Sequence, residues 1–291
     1  MPPGRADHAG SAGELSMSET ATETPAVEPR VLVIAGSDSG GGAGIQADIK
    51  TITALDAYAA TAISALTAQN TLEVSDILPV PPDFLQAQIT AVLNDIGADC
   101  IKTGMLHDVP AIETVAQALQ TQAPHIPVVV DPVMVSQSGA ELLADSAIDC
   151  LREQLLPRAT LLTPNLPEAE KLLGRTLADR EARIEAAREL LALGPDAVLL
   201  KGGHAKGDDV LDVLADAEGV ECFEAPRLPT RHTHGTGCTL ASAIAAGIAQ
   251  GLSVRDAVVR GRAYLHEALR TARALGQGAG PVNHRHTIRP F

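Results

Sequence analysis

Residues 234–239 read His-Gly-Thr-Gly-Cys-Thr and lead into an alanine-rich segment that predicts a helix. The first N–H groups of a helix have no intrahelical partner, and together with the helix dipole they attract anions. Cys238 lies in the first turn, where this field should lower the thiol pKa. One interpretation is an anion-binding loop for phosphoryl transfer, formed by Gly235, Thr236 and Gly237. The other is a glycine-rich turn that begins a buried helix, with Cys238 as a small core residue, and the motif alone favours it.

Polar side chains also follow several apolar runs that predict buried strands. These clusters are Gly36-Ser37-Asp38, Lys102-Thr103-Gly104, Asp131-Pro132, Thr163-Pro164-Asn165 and Lys201-Gly202-Gly203-His204. In a parallel α/β sheet, ligands bind beyond the carboxyl ends of the strands. The sequence therefore predicts that these clusters line one shared crevice.

Five residues near this crevice each have a functional and a structural interpretation. Asn165 and Glu168 either hold a hydrated Mg²⁺ or form a helix capping box. Lys201 either contacts nucleotide phosphates or is a surface lysine. Gln69 either offers a donor and an acceptor to a heteroaromatic ring or is a solvated loop residue. Asp48, one turn into a predicted helix, either contacts a ligand or stabilises the helix start.

Residues 40–44 read Gly-Gly-Gly-Ala-Gly and follow the first predicted strand. They do not form the GxGxxG pattern of dinucleotide-binding folds, and no Lys-Ser/Thr pair follows them as in a Walker A loop. Both of these nucleotide-binding classes are excluded. The loop still allows the backbone to approach a ligand closely.

The composition narrows the class of protein. A net charge of −14 over 291 residues argues against nucleic acid or an anionic membrane as a partner. No run of about 18 apolar residues predicts a membrane span. The four cysteines lack the spacing of a zinc site or a disulfide framework, so we expect a soluble cytoplasmic protein. Aromatic residues make up only 2%, so aliphatic, methionine and backbone groups must hold any flat ligand.

Apolar runs alternate with amphipathic segments from Val31 onwards. Strands are predicted over residues 31–35, 61–66, 100–103, 127–130, 160–163 and 197–200, with a hairpin over 210–215 and 220–224. Helices are predicted over residues 43–55, 82–95, 109–121, 167–173 and 180–193, with two more beginning at Thr236 and Ser253. This alternation indicates an α/β fold with a mostly parallel sheet covered on both faces. Residues 1–29 are predicted to be a disordered tail, in which Met17 is an alternative start.

From about Val31 to the C-terminus, the chain resembles the hydroxymethylpyrimidine/phosphomethylpyrimidine kinase family of thiamine biosynthesis, within the ribokinase-like superfamily. The matching motifs, in family order, are AGSD at 35–38, GGGAGIQADIKT at 40–51, TAQNT at 67–71, KTGML at 102–106, DPVM at 131–134, TPNLPEA at 163–169, KGGH at 201–204, HGTGCT at 234–239 and GPVNH at 280–284. The resemblance implies a ribokinase-like three-layer α/β/α sandwich over residues 30–291. It also implies ATP and Mg²⁺ as cofactors and a homodimer.

The resemblance implies a role for each candidate residue. Cys238 takes the place of the general base, beside an anion hole formed by Gly235, Thr236 and Gly237. The expected ATP contacts are Lys201, Asn165, Asp131 and Thr236, and the expected Mg²⁺ contacts are Glu168 and Asp131. The expected pyrimidine contacts are Gly36, Asp48, Thr67, Gln69, Met105 and Val133. The chain has Thr67 where valine is frequent and Ser39 where proline is frequent, and neither is expected to touch a catalytic group.

The activity implied is the ATP-dependent phosphorylation of 4-amino-5-hydroxymethyl-2-methylpyrimidine and then of its monophosphate. A pyridoxal or pyridoxine kinase is the alternative enzyme, because related proteins use the same scaffold for a similar hydroxymethyl-bearing ring. A non-catalytic pyrimidine-binding protein is the alternative from another class. The complete set of groups expected around MgATP argues against that alternative, since a binding protein has no use for them.

Overall fold

One sheet of nine strands runs through the part of the chain that the computed structural model describes, which is residue 1 and residues 28–136, 138–144, 146–205 and 207–288. The strands are β1 (Arg30–Asp38), β2 (Tyr58–Gln69), β3 (Val74–Pro79), β4 (Cys100–Thr103), β5 (Val128–Val130), β6 (Leu161–Leu162), β7 (Ala197–Leu200), β8 (Asp209–Asp216) and β9 (Gly219–Pro226). Their order across the sheet is β3-β2-β1-β4-β5-β6-β7-β8-β9. The strands from β2 to β7 in this order are parallel, whereas β3, β8 and β9 pair antiparallel with β2, β7 and β8.

Helices cover both faces of the sheet. They are α1 (Gly44–Ala54), α2 (Pro82–Asp95), α3 (Val109–Gln122), α4 (Ser146–Cys150), α5 (Leu166–Leu173), α6 (Arg180–Leu191), α7 (Thr236–Ala249) and α8 (Val254–Arg270). A π-helical turn over Leu151–Leu155 and a 3₁₀ turn over Leu156–Arg158 continue α4. Apolar side chains of α1, α7 and α8 pack on one face, and those of α2 to α6 pack on the other. The result is the three-layer α/β/α sandwich expected from the sequence.

Side chains along the parallel strands point alternately to the two faces of the sheet, which explains why helices cover both faces. In β1, Val31 and Val33 face the layer of α1, α7 and α8, whereas Leu32 and Ile34 face the opposite layer. All four side chains are fully buried. Since successive side chains of a strand point to opposite faces, a continuous apolar run indicates a strand that is buried on both sides.

Helix α7 lies in the middle of its layer, and its alanine content suits that place. Each residue from Thr239 to Gly247 is buried. A Cβ at Gly247 would lie 2.9 Å from Cβ of Ala257 in α8, so the two helices approach closely there. Small side chains therefore let α7 pack against α1, α8 and the sheet at once, which fixes the position of its first turn.

The predicted elements are confirmed with small shifts of their ends, and two elements were missed. Strand β2 is longer than predicted and ends at Gln69. Strand β3 escaped prediction because it is an edge strand with a mostly exposed, non-alternating sequence. The helical segment 146–158 was missed as well. The predicted tail, residues 1–29, lies outside the described residues except for residues 1, 28 and 29.

The six parallel strands all end on the same side of the sheet, and the polar clusters after them meet there. A register shift between β1 and β2, at Ala35 and Ser37, adds an extra residue to β2 just before Thr67 and Gln69. Such bulges redirect side chains at the end of a strand. Among the described helices, none is long and apolar enough to cross a membrane.

Candidate active site

A cavity of about 980 Å³ opens beyond the carboxyl ends of the parallel strands. This volume lies at the upper end of the range for small-molecule sites, so two ligands can fit side by side. The predicted site residues that line it are Gly36, Thr67, Gln69, Met105, Asp131, Val133, Asn165, Glu168, Lys201, Gly235, Thr236, Gly237 and Cys238. Asp48 is the predicted site residue that lies elsewhere.

Asp48 lies beneath the cavity, in a fully buried cluster between α1, β4 and α7. Both of its carboxylate oxygens accept hydrogen bonds of 3.0 Å from Lys102 Nζ, and Ser242 Oγ donates to Oδ1 at 2.7 Å. Asp48 therefore lies outside the cavity lining, because the inward face of α1 packs against α7, and its contact with a ligand stays a prediction. Burial by itself lowers the pKa of Lys102, but the negative charges around it, of which that of Asp48 is the largest, and the hydrogen bond to Asp48 together outweigh burial, and the net shift is upward. Lys102 thus keeps a positive charge in the floor of the cavity, which its side chain lines.

One position in the loop before α7, Gly235, has a backbone conformation that favours glycine. Gly235 has φ +81°, and a Cβ on it would lie 1.9 Å from the carbonyl oxygen of Gly42. No side chain caps the helix at Gly235, and the Thr236 N–H makes only a long hydrogen bond of 3.4 Å to the Thr233 carbonyl oxygen, so the start of the helix can still attract an anion. A Cβ at Gly237 would lie 3.3 Å from Lys201 Nζ, which brings this turn next to a cation. The loop begins a buried helix and also lines the cavity, and its role as an anion-binding loop stays a prediction.

Asp38 and His234 join this loop to the glycine-rich loop after β1. The Asp38 carboxylate accepts N–H groups from Gly40 at 2.7 Å, Gly42 at 2.9 Å and Ala43 at 2.8 Å, and Oδ2 lies 2.9 Å from His234 Nε2. Burial disfavours the charged carboxylate, but these hydrogen bonds outweigh it and lower the pKa of Asp38. Sequence reasoning did not select this pair, although both residues border the glycine motifs.

Asn165, Glu168, Asp131 and Lys201 meet at the ends of β5, β6 and β7. Asn165 N–H donates to Glu168 Oε2 at 2.7 Å, and Glu168 N–H donates to Asn165 Oδ1 at 2.9 Å, so the capping box is present. Lys201 Nζ donates to Asp131 Oδ1 at 2.8 Å. Burial, which the nearby Asp131 reinforces, raises the pKa of Glu168 to about 7 despite the opposing charge of Lys201.

The acidic pair formed by Asp131 and Glu168 fits a hard cation. Asp131 Oδ2 is buried and has no hydrogen-bond partner among the described residues. Two buried carboxyl groups beside one lysine leave negative charge that a divalent cation would neutralise. Mg²⁺ typically takes one or two carboxylates, with water and substrate phosphates as its other ligands. In the described part of the chain, no group of three or more His, Cys, Asp or Glu residues is arranged to hold a metal ion by itself.

The loop after β7, which carries Lys201, is held by two residues that the sequence did not single out. Gly202 N–H donates to Asp212 Oδ1 at 2.8 Å, and Arg262 Nε donates to Asp212 Oδ2 at 2.8 Å. A Cβ at Gly202 would lie 2.0 Å from the carbonyl oxygen of Leu211, so the loop packs directly on β8. The signal in the sequence was an acidic residue in the middle of an apolar strand.

Cys238 differs from expectation in its ionisation. Burial raises the pKa of Cys238 to about 12, and the charge of Lys102 opposes this increase without cancelling it. The expected lowering of the thiol pKa is therefore wrong. The field of the helix start and the nearby ammonium group act on a half-buried side chain at the cavity wall, and desolvation is the larger effect. The raised pKa favours the neutral thiol near pH 7.

Comparisons with known proteins identify a family that is similar to this chain. The family model described as phosphomethylpyrimidine kinase matches residues 38–283. A hydroxymethylpyrimidine/phosphomethylpyrimidine kinase of Mycobacterium tuberculosis is 52% identical over 258 residues, which is 88% of this chain and 93% of that protein. The thiamine biosynthesis bifunctional protein ThiED of Geobacter sulfurreducens is 51% identical over 254 residues, but this chain spans only 52% of its length.

The fold is also similar to that of solved kinase structures. The ADP complex of Bacillus subtilis pyridoxal kinase superposes with a TM-score of 0.83 and 38% sequence identity. The match covers 89% of this chain and 98% of that structure.

Proposed function

Because the chain belongs to the phosphomethylpyrimidine kinase family, we propose that it transfers the γ-phosphoryl group of ATP to 4-amino-5-hydroxymethyl-2-methylpyrimidine and then to the monophosphate that this step forms. The observation that carries the proposal is the layout of the cavity. An amide side chain and apolar groups lie at one end, a lysine and two carboxyl groups lie at the other, and the uncapped start of α7 lies between them.

The pyrimidine occupies the end of the cavity formed by β1, β2 and β4. Gln69 presents an amide that can pair with the ring edge, which carries an amino donor and a ring-nitrogen acceptor. Met105 and Val133 supply apolar surface for the ring faces. A Cβ at Gly36 would lie 2.4 Å from the Met105 methyl carbon, so a glycine here leaves room for the methionine.

ATP occupies the other end. Lys201 is placed to contact the phosphates, together with Asn165 and the hydroxyl of Thr236. Glu168 and Asp131 would hold Mg²⁺, which when bound supplies positive charge against the phosphate oxygens. Phosphoryl transfer passes through a loose transition state, so positioning and charge neutralisation account for most of the catalysis.

The start of α7 then receives the transferring group. Backbone N–H groups of residues 235–237 donate to its equatorial oxygens, as in other anion holes at helix starts. Cys238 Sγ accepts the proton of the substrate hydroxyl. A neutral thiol with a raised pKa must first give its own proton to solvent in the open cavity, and the positive charge of Lys102 in the cavity floor favours the thiolate that remains. Once formed, the thiolate is a strong base because its pKa is high.

Steady-state kinetics with purified protein, ATP and Mg²⁺ test this function. We expect ADP release with the aminopyrimidine, and mass spectrometry should detect first the monophosphate and then the diphosphate. The similarity to the pyridoxal kinase of Bacillus subtilis makes pyridoxal the competing substrate. A higher kcat/KM for pyridoxal than for the pyrimidine would overturn our assignment. Tight pyrimidine binding without ADP release would support a non-catalytic binding protein instead.

The remaining proposals concern the state of the protein in the cell. We propose a cytoplasmic homodimer that binds neither nucleic acid nor membranes, in line with the net charge of −14. Sedimentation at micromolar concentration should give a species of twice the chain mass of 30.1 kDa. A single species at the mass of one chain would contradict the dimer.

A further inference from the structure

Gln69 is held by neighbouring hydroxyl groups at both its side chain and its backbone. Thr67 Oγ1 lies 3.0 Å from Gln69 Oε1 and at the same distance from the carbonyl oxygen of Ser37, so its single proton is shared between these two acceptors. Ser39 Oγ donates to the Gln69 carbonyl oxygen at 2.8 Å and accepts the Gln69 N–H at 2.8 Å. Two short side chains thus fix one longer side chain at the cavity wall.

The two anchors act on different parts of Gln69. Ser39 lies in the loop after β1 and closes a reciprocal pair of hydrogen bonds with the backbone at the end of β2. Thr67 lies in β2 itself, is only 8% exposed, and reaches the amide two residues further along the strand. The same hydroxyl lies 3.0 Å from the Ser37 carbonyl oxygen in β1, so both of its acceptors are fixed in neighbouring strands and hold the Thr67 side chain in the rotamer that reaches Gln69.

A glutamine side chain has three torsions, and ordering them when a ligand binds costs conformational entropy. A side chain that is already hydrogen-bonded in the binding geometry avoids much of this cost, which is the general advantage of preorganisation. In this chain the Thr67 hydroxyl restrains the Gln69 amide before a ligand arrives. Valine, which has the same shape as threonine, would fill the same space without restraining the amide.

We infer that Thr67 and Ser39 are positioning residues that set Gln69 for the edge of an amino-substituted heteroaromatic ring and so determine how tightly that ring binds. The inference rests on the proposed function, in which Gln69 contacts the pyrimidine. One hydrogen bond to a neutral partner corresponds to about a 3- to 10-fold effect on binding. The effect should appear in pyrimidine affinity, since neither hydroxyl contacts the groups assigned to phosphoryl transfer.

A double-mutant cycle between Thr67 and Gln69 tests this inference. The variants are Thr67→Val, Thr67→Ser, Gln69→Ala and the double variant Thr67→Val with Gln69→Ala. We expect Thr67→Val to raise KM for the pyrimidine about 3- to 10-fold, with kcat and the KM for ATP unchanged. Thr67→Ser, which keeps the hydroxyl, should restore most of the affinity. In the Gln69→Ala background, Thr67→Val should have no further effect.

One control variant and one further test variant distinguish a positioning role of Thr67 from a general structural role. Thr121→Val on α3 removes another threonine hydroxyl, one that donates only to the carbonyl oxygen of Gln117 on an exposed helix, and it should leave KM unchanged. Ser39→Ala removes the backbone anchor independently and should also raise KM for the pyrimidine. An unchanged KM in both Thr67→Val and Ser39→Ala would overturn the inference. An equal rise in KM with and without Gln69 would overturn it too, because Thr67 would then act through packing.

The outcome is distinguishable from a failure of the proposed function. The same cycle can be measured as pyrimidine Kd by calorimetry, which requires no turnover. If the wild-type protein binds the pyrimidine but does not phosphorylate it, the proposed function fails while the Kd cycle still decides the inference. If the wild-type protein binds no pyrimidine at all, both fail.

Discussion

Iodoacetamide should modify Cys238 much more slowly than it modifies a free thiol at pH 8, because only the thiolate reacts. Burial raises the pKa of Cys238 to about 12. At pH 8 a free cysteine of pKa about 8.5 is roughly one-quarter thiolate, whereas a thiol of pKa about 12 is roughly 0.01% thiolate. The expected ratio of rates is therefore on the order of 1000, before any steric protection is counted.

The pH dependence of modification separates ionisation from steric protection. The modification rate of Cys238, followed by peptide mass spectrometry, should rise about tenfold per pH unit up to pH 10 without a plateau. Cys222 on β9, measured in the same digest, serves as the internal reference thiol. Circular dichroism at each pH confirms that the protein stays folded. A plateau below pH 9 would show that the thiol pKa is not raised and would refute the reasoning from burial.

The raised pKa of Cys238 also predicts how kcat depends on pH. If the Cys238 thiolate is the base, kcat should rise with pH over the range in which the thiol titrates. Cys238→Ala should lower kcat by about 10²- to 10⁴-fold and abolish this rise, while the pyrimidine affinity changes little. Near-normal turnover in this variant would reduce Cys238 to a packing residue, with the anion hole and the cation site left to carry the reaction.

Three further predictions concern stability and the chain outside the site. Since the pKa of Glu168 is raised to about 7, the folded protein binds a proton that the unfolded chain releases near pH 4.5, and stability falls as pH rises through this window. Glu168→Gln should remove about 3 kcal/mol of this pH dependence in urea unfolding at pH 5 and pH 8, and an identical slope in both proteins would contradict it. Gly235→Ala would place a Cβ 1.9 Å from the Gly42 carbonyl oxygen and should lower kcat at least about 100-fold. The control is Gly251→Ala, because Gly251 also has a positive φ but a Cβ there would have no atom within 4 Å. This control should lose about 1 kcal/mol of stability and keep its activity. Deletion of residues 1–29 should leave the kinetic constants unchanged, and a large rise in KM would show that this segment covers the site.

The pattern of apolar and polar residues along the sequence predicted the fold well, because the central strands of this fold are buried over their whole length. Continuous apolar runs such as residues 31–35 and 197–200 indicate strands that are covered on both faces, and the structure confirms them. Strand β3 has no such run, because it lies at the exposed edge of the sheet and its side chains do not need to be apolar. Its pairing with β2 depends on a tertiary contact that local patterns do not contain.

The site was predicted in its members and less well in its detailed contacts. Motif positions at strand ends brought the lining residues together, because strand ends converge in a parallel sheet. The side that Asp48 faces, the pairing of Asp38 with His234, and the pKa of Cys238 all depend on the packing of α1 and α7. Thr67 and Ser39 were not expected to touch a catalytic group, and both contact Gln69, which is an expected pyrimidine contact. The contact between Ser39 and Gln69 joins residues 30 positions apart, which local patterns do not reveal.

A crystal structure with the aminopyrimidine and a non-hydrolysable ATP analogue tests the central claim most directly. We expect the ring edge on the Gln69 amide, the hydroxymethyl oxygen within hydrogen-bond distance of Cys238 Sγ, and the γ-phosphate at the N–H groups of residues 235–237. The adenosine end should lie beyond Lys201. A ring bound away from Gln69, or a hydroxymethyl group pointing away from both Cys238 and the γ-phosphate, would contradict the account.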